Sequence, residues 1–414
     1  MKKYSAIPTP CYVLESERLE KNAKILEIVR QQSGAKVLLA LKGYAFWREF
    51  GILRQKLNGC CASGLYEAKL AFEEFGGRES HKEICVYSPA FKEAEMSAIL
   101  PLATSVIFNS FYQYATYKDR ILDKNKQLEN LGLSPIKMGL RINPLYSEVT
   151  PAIYNPCSKV SRLGIVPSGF EKGVREHGLE GVSGLHFHTH CEQNADALCR
   201  TLEHVEKHFK PYLENMAWVN FGGGHHITRS DYDVNLLIQT IKDFKERYHN
   251  IEVILEPGEA IGWQCGFLIA SVIDIVQNDS VIDIVQNDQE IAILDASFSA
   301  HMPDCLEMPY RPSILKISVE NDEELIEVEK GENQGAFSYF LGGPTCLAGD
   351  FMGSFSFDAP LKRGDKIVFQ DMLHYTIVKN NSFNGVPLPS LAKLDQQGFK
   401  ILKNFSYEDY KNRN

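Results

Sequence analysis

Eight short apolar runs, separated by longer helical stretches, occupy the first two-thirds of the chain and restrict its fold more than any other feature. They are KVLLALK (36–42), NGCCAS (58–63), EICVYS (83–88), TSVIFN (104–109), IKMGLRIN (136–143), VSGLHFH (182–188), AWVNFG (217–222) and IEVILEP (251–257). Short apolar runs of this kind read as strands buried on both faces. The intervening segments carry helical spacing. Examples are SGLYEAKLAFEEFG (63–76) and NLLIQTIKDFKERYH (235–249), where Leu236, Ile238, Ile241 and Phe244 recur with charges between them. Eight β-α units predict a (β/α)8 barrel, whose active site sits at the C-terminal ends of its strands. The 414 residues accommodate such a barrel and one smaller unit.

Beyond residue 260 the pattern changes to strand-like runs: FLIASVIDIV, EIAILDA, SILKISVE, AFSYFLGG, DKIVFQD and HYTIVKN. These predict a C-terminal β domain, joined by the N-terminal strand-like segment TPCYVLE. The expected division is a barrel over 26–259 and a β domain from 1–25 and 260–414. SVIDIVQND occurs twice in tandem, at 271–279 and 280–288. Nine residues are too few for a solenoid repeat, and the pair reads as a recent duplication, one copy in the sheet and the other extending a hairpin or loop.

A net charge of -9 argues against a nucleic-acid-binding role and suits a cationic small substrate. MKKYSAIPTPCYVLE lacks an apolar stretch of signal-peptide length, and no run of about 18 apolar residues predicts a membrane span. Ten cysteines without a secretory signal or a CxxC pair predict reduced thiols and a cytoplasmic location.

Six segments carry residues suited to one cofactor: Lys42 in LLALKGY, His188 in LHFHTH, Gly222-Gly223-Gly224, Glu256 in LEPGE, Cys346 in GGPTC and Tyr375 in LHYT. A lysine at a buried strand end has a depressed pKa and can form a Schiff base. A histidine can stack on an aromatic ring, and a glycine-rich turn lets N–H groups approach a phosphate. A buried carboxylate keeps a pyridine nitrogen protonated, so the ring accepts an electron pair. A thiol in a turn-rich loop can return a proton to a carbanion. Together these describe a site for pyridoxal 5'-phosphate. Each also has a plainer reading: a lysine snorkelling at a strand end, a tight turn, a carboxylate capping a turn, an ordinary free thiol. His186, His188 and His190 would face one side of a strand, which leaves open a zinc-hydrolase site, with Cys191 and His225-His226 as further ligands, or core histidines.

The motif set resembles the alanine-racemase-fold decarboxylases that use pyridoxal phosphate, the group of ornithine, arginine and diaminopimelate decarboxylases. The resemblance runs from YVLE near residue 12 to LHYT at 373–376. It implies that Lys42 carries the cofactor and that His188 stacks on it. Gly222, Gly223 and Gly224 hold the phosphate with Tyr375, and Glu256 faces the ring nitrogen. Cys346 and Asp350 come from the second subunit of a homodimer with shared sites. Three departures separate the chain from ornithine and diaminopimelate enzymes: Glu259 replaces the arginine of EPGR, Thr189-His190-Cys191 follows His188, and Leu347 follows Cys346. The segments HFHTHCEQ, GGGHHITRSDYD and DASFSAHMPDCLEMPYRP resemble the branch acting on carboxylated polyamines. That implies carboxynorspermidine or carboxyspermidine as substrate and norspermidine or spermidine as product. Cationic amines call for carboxylates, with Asp350, Glu259, Asp304 and Glu307 as candidates and Arg311 for a substrate carboxylate. The alternatives are an ornithine- or diaminopimelate-type decarboxylase, a regulatory protein of the same fold, and the zinc hydrolase.

Overall fold

The structure, a computed structural model, describes residues 4–277, 290–317, 322, 324–327 and 335–414. The chain divides into two compact units. One is Glu20–Ile261, and the other combines the residues up to Leu19 with Gly262–Asn414. The expected boundary at 25/26 falls inside a helix, Ser16–Ser33, so the actual division lies nearer its start. No described helix is long and apolar enough to cross a membrane.

A first strand, β1 (Cys11–Glu15), precedes the barrel. The barrel strands are β2 (Lys36–Ala40), β3 (Gly59–Ala62), β4 (Glu83–Tyr87), β5 (Ser105–Phe108), β6 (Lys137–Arg141), β7 (Val182–His186), β8 (Trp218–Asn220) and β9 (Glu252–Leu255). All eight predicted runs form them. Each pairs in parallel with the next, and β9 returns to β2 through Lys36↔Ile254 to close the barrel. Of the two helical segments singled out, 63–76 forms Leu65–Leu70 and continues as a wider π turn, Ala71–Phe75. The other forms Val234–Arg247, burying Leu237, Ile238, Ile241 and Phe244.

Leu38, Cys61, Cys85, Ile107, Trp218 and Ile254 pack together from the barrel strands. Trp218 dominates this core, and its indole N–H donates to Ser183 Oγ at 3.0 Å. Its ring occupies the space where side chains of neighbouring strands would stand. A Cβ on Gly184 would lie 2.0 Å from the indole, and one on Gly139 2.3 Å. At the N-terminal ends of β2, β4, β6 and β9, the first residues Lys36, Glu83, Lys137 and Glu252 alternate in charge. Lys36 pairs with Glu83 and with Glu252 at 2.7 Å, while Lys137 reaches Glu252 at 2.8 Å. Ion pairing at this end serves stability and leaves the opposite end for chemistry.

The other unit is a mixed sheet. Its strands are β1, β10 (Gly266–Gln277), β11 (Glu290–Leu294), β12 (Ile314–Ile317), β13 (Leu325–Glu327), β14 (Phe337–Gly342), β15 (Phe351–Phe357), β16 (Lys366–Gln370), β17 (Ser390–Asp395) and β18 (Gly398–Lys403). β1 lies between β10 and β17, so TPCYVLE contributes to this sheet. The first SVIDIVQND copy supplies the end of β10 through Gln277; the second lies outside the described residues. HYTIVKN is not a strand. Tyr375 adopts φ +41°, and Thr376–Lys379 turns into a short helix.

Candidate active site

Lys42, Arg141, His188, Gly222 and Glu256 all stand at or just beyond the C-terminal ends of β2, β6, β7, β8 and β9. The turn carrying Lys42 is fixed by backbone bonds: Ala40 N–H donates to Pro257 O at 2.9 Å and Leu41 N–H to Cys61 O at 3.1 Å. Lys42 retains solvent-accessible surface, as a residue lining an open mouth does. Its amine is nevertheless surrounded by protein, and this desolvation, with Arg141 adding repulsion, lowers its pKa against the opposing pull of Cys61, Glu256 and Cys191.

Glu256 is buried, and Asn220 Nδ2 donates to its Oε1 at 2.6 Å. His186 Nε2 lies 3.5 Å from Oε2. Burial pushes this carboxyl up, but His186 and the hydrogen bonds from His186, Asn220 and Cys61 prevail and hold it at about 2. The site therefore contains a buried carboxylate that stays ionised.

His188 Nδ1 accepts the Gly223 N–H at 2.9 Å, which assigns the remaining ring proton to Nε2. Desolvation, then Lys42 and Arg141, keep its pKa well below the usual value, so the ring is neutral. The glycine run permits this close approach. Gly222 and Gly224 have φ of +70° and +81°, and a Cβ on Gly223 would lie 2.2 Å from Glu256 O. The run does not present all three amides to a ligand: Gly222 N–H is taken by Asn220 Oδ1 at 2.8 Å and Gly223 N–H by His188.

The three alternating histidines do not share a strand face, because β7 ends at His186. His186 approaches Glu256, His188 meets Gly223, and the His190 ring lies 4.7 Å from that of His225. Among the described residues, the one cluster of three metal-capable groups is Glu192, His226 and Glu259, with ligand atoms within 4.8 Å of one another. That is not the HxHxH set.

Two residues of this mouth were missed by sequence reasoning. Arg141 is buried, lies 4.6 Å above the Tyr87 ring and donates to His188 O at 3.1 Å. Its signal was present: like Lys42, it is a cation ending an apolar strand. Asn220 had no such signal beyond its place before the glycines.

Cys346 and Tyr375 belong to the β unit. Cys346, alone among the ten cysteines, is exposed. Three of the proposed amine-binding carboxylates have other occupations. Asp350 is 4% exposed and accepts from Ser297 Oγ, Ser299 N and Oγ, and Thr345 N and Oγ1. A carboxylate saturated in this way has no lone pair left for a substrate ammonium. Asp304 and Glu307 share Lys379, the latter at 2.8 Å. Arg311 donates to Ser354 O at 2.6 Å with its guanidinium 3.7 Å above the Phe355 ring. Glu259 remains in the barrel mouth, 3.7 Å from His226.

Several buried histidines make the mouth acid-sensitive. His188, His190 and His225 all have lowered pKa values, chiefly by burial, His190 reaching about 4. Below about pH 6.5 the unfolded chain binds the extra protons first, so stability falls with pH, by up to about 1.4 kcal/mol per pH unit per histidine. Urea midpoints measured from about pH 7.5 to 5.5 should drop steeply, and less steeply in His190→Gln. An unaltered slope would mean that His190 protonates equally in both states.

The comparisons with known proteins agree with this fold. The family model described as "Pyridoxal-dependent decarboxylase, C-terminal sheet domain" matches residues 11–372. A carboxynorspermidine/carboxyspermidine decarboxylase of Campylobacter jejuni is 45% identical, covering 99% of this chain and 100% of its own. A carboxyaminopropylagmatine decarboxylase of Synechocystis is 41% identical, covering 99% and 96%. The crystal structure of Campylobacter jejuni carboxynorspermidine decarboxylase complexed with norspermidine superposes with a TM-score of 0.82 at 44% identity, over 99% of this chain and 100% of that one.

Proposed function

Because the chain belongs to the pyridoxal-dependent decarboxylases, we propose that it binds pyridoxal 5'-phosphate at the barrel mouth and decarboxylates carboxynorspermidine or carboxyspermidine to norspermidine or spermidine in polyamine biosynthesis. The observation that carries the cofactor reading is the buried, ionised Glu256, set among the strand ends that also carry Lys42 and His188. The residues fit the group. Cofactor-bound enzymes of this kind use the ring to accept the electron pair released when the Cα–carboxylate bond breaks.

The chain's own groups divide the remaining work. Lys42, whose depressed pKa makes its neutral form easier to reach, supplies the amine for attachment. Glu256 would hold a proton on the ring nitrogen, and the neutral His188 ring would stack on it without adding a second positive charge. Gly224, whose N–H makes no hydrogen bond among the described residues, would donate to the phosphate, and Tyr375 is the further donor that the family resemblance implies. Glu259 attracts the cationic substrate. Cys346 returns the proton to the substrate carbon, across the interface of a homodimer.

A second substrate is favoured by the 41% relative: carboxyaminopropylagmatine, which ends in a guanidinium rather than an ammonium. Steady-state assays on all three compounds, with ornithine and diaminopimelate as controls, test the assignment. The highest kcat/KM is expected on carboxynorspermidine or carboxyspermidine. A higher value on carboxyaminopropylagmatine would establish the second reading, and efficient turnover of ornithine or diaminopimelate would refute both.

Shared sites make a separate prediction. Mixing inactive Lys42→Ala with inactive Cys346→Ala subunits should restore about a quarter of the wild-type activity, by random pairing in a two-fold dimer. No recovery after demonstrated subunit exchange would place each site within one chain.

A further inference from the structure

The loop at 343–350, which joins β14 to β15 and carries Cys346, is held from two sides by side chains. At its base, Gly343 N–H donates to Asp350 O at 2.7 Å and Asp350 N–H to Leu347 O at 2.9 Å. The Asp350 carboxylate then ties the loop to a neighbouring turn. Its Oδ2 accepts Thr345 Oγ1 at 2.6 Å, within the loop, and its Oδ1 accepts Ser297 Oγ and Ser299 N, both at 3.0 Å. The fit is close, since a Cβ on Gly343 would lie 2.3 Å from Asp350 Oδ2.

At the tip, Cys346 N–H donates to Asn384 Oδ1 at 3.0 Å. Asn384 has φ +60°, a left-handed conformation that asparagine tolerates. Its segment returns to the same turn: Phe383 N–H donates to Asn381 Oδ1 at 2.9 Å, and Asn381 N–H to Ala300 O at 2.8 Å. Both supports of the cysteine are therefore referenced to residues 297–300. An exposed thiol on a turn-rich loop would otherwise sample many positions, and a proton donor must be placed within hydrogen-bond reach of its target.

We infer that Asp350 and Asn384 are positioning residues for Cys346, fixing its loop from base and tip, and that neither reads the substrate's amine. This rests on the assignment of Cys346 as the proton donor. Asn384→Gly keeps the left-handed backbone and deletes the acceptor. It should lower kcat about tenfold with KM within about twofold, the consequence of one lost orienting hydrogen bond. The rate of iodoacetamide labelling at Cys346, followed by mass spectrometry of its peptide with and without cofactor, should change by about threefold or more. Asn384→Asp retains an accepting oxygen and should restore both values. Asp350→Asn and Thr345→Val should show the same kcat-selective loss, and they carry the test if Asn384→Gly fails to fold. Wild-type kcat and labelling in these variants would overturn the inference, as would a loss confined to KM in Asp350→Asn. Full kcat in Cys346→Ala would instead remove Cys346 as proton donor, a distinct failure.

Discussion

Lys42→Ala should purify as a folded protein without the borohydride-sensitive absorbance band of a bound pyridoxal cofactor, and with turnover reduced on the order of 10³-fold or more. Folding should survive because the side chain keeps accessible surface. The chemistry should not, because the other described lysines whose pKa burial lowers, Lys82 and Lys366, stand before β4 and in β16 and not at the C-terminal end of a barrel strand. The lowered pKa of Lys42 depends on desolvation at the strand end and on Arg141 nearby. Lys36, by contrast, belongs to the ion ring at the opposite end of the barrel, where Glu83 and Glu252 raise its pKa against burial. A spectrum and a borohydride-reduction assay, read beside the thermal midpoint, check this prediction. A retained band with normal kcat would remove Lys42 from the site.

The barrel was legible because its strands are covered on both faces, which produces continuous apolar runs with little other interpretation. All eight were identified, and their ends located Lys42 and Glu256, though not Arg141. The β unit was less legible. FMGSFSF, which forms β15, is interrupted by glycine and serine, and HYTIVKN has strand composition but turns at Tyr375. Alternation misled at His186, His188 and His190, because period-two reasoning applies only while the strand continues.

Side-chain occupation was the least legible property. Asp350 looked like an anchor for a substrate because it follows Cys346 by four residues. Its partners Ser297 and Ser299 lie about fifty residues away in sequence, and only the fold shows that they saturate it. The same holds for Lys379, which takes up Asp304 and Glu307 from more than seventy residues away. The glycine run illustrates a subtler case. Its composition suggested three amides open to a phosphate, whereas two of them hold Asn220 and His188 in place.

Those internal bonds bring Asn220 and Glu256 into one unit and support the second large prediction, for Glu256→Gln. Asn220 spans the site: its side-chain oxygen accepts Gly222 N–H at 2.8 Å, so its amide nitrogen must face Glu256, to which it donates at 2.6 Å. Glutamine keeps an oxygen for that bond if its carbonyl faces Asn220. Its NH₂ then occupies the position of Oε2, near His186. The variant should fold and retain Lys42-dependent cofactor absorbance, because neither the lysine nor the glycine run is altered. What it loses is the negative charge that, in the proposed function, would keep the ring nitrogen protonated, an interaction that matters most as electron density moves into the ring. Removing one preorganised charge of this kind should reduce kcat on the order of 10²–10³-fold, with KM changed little. Kinetics and spectra on the same preparation test the assignment. A kcat within about threefold of wild type would show that Glu256 is a structural partner of Asn220 and His186, and that another group holds the ring proton.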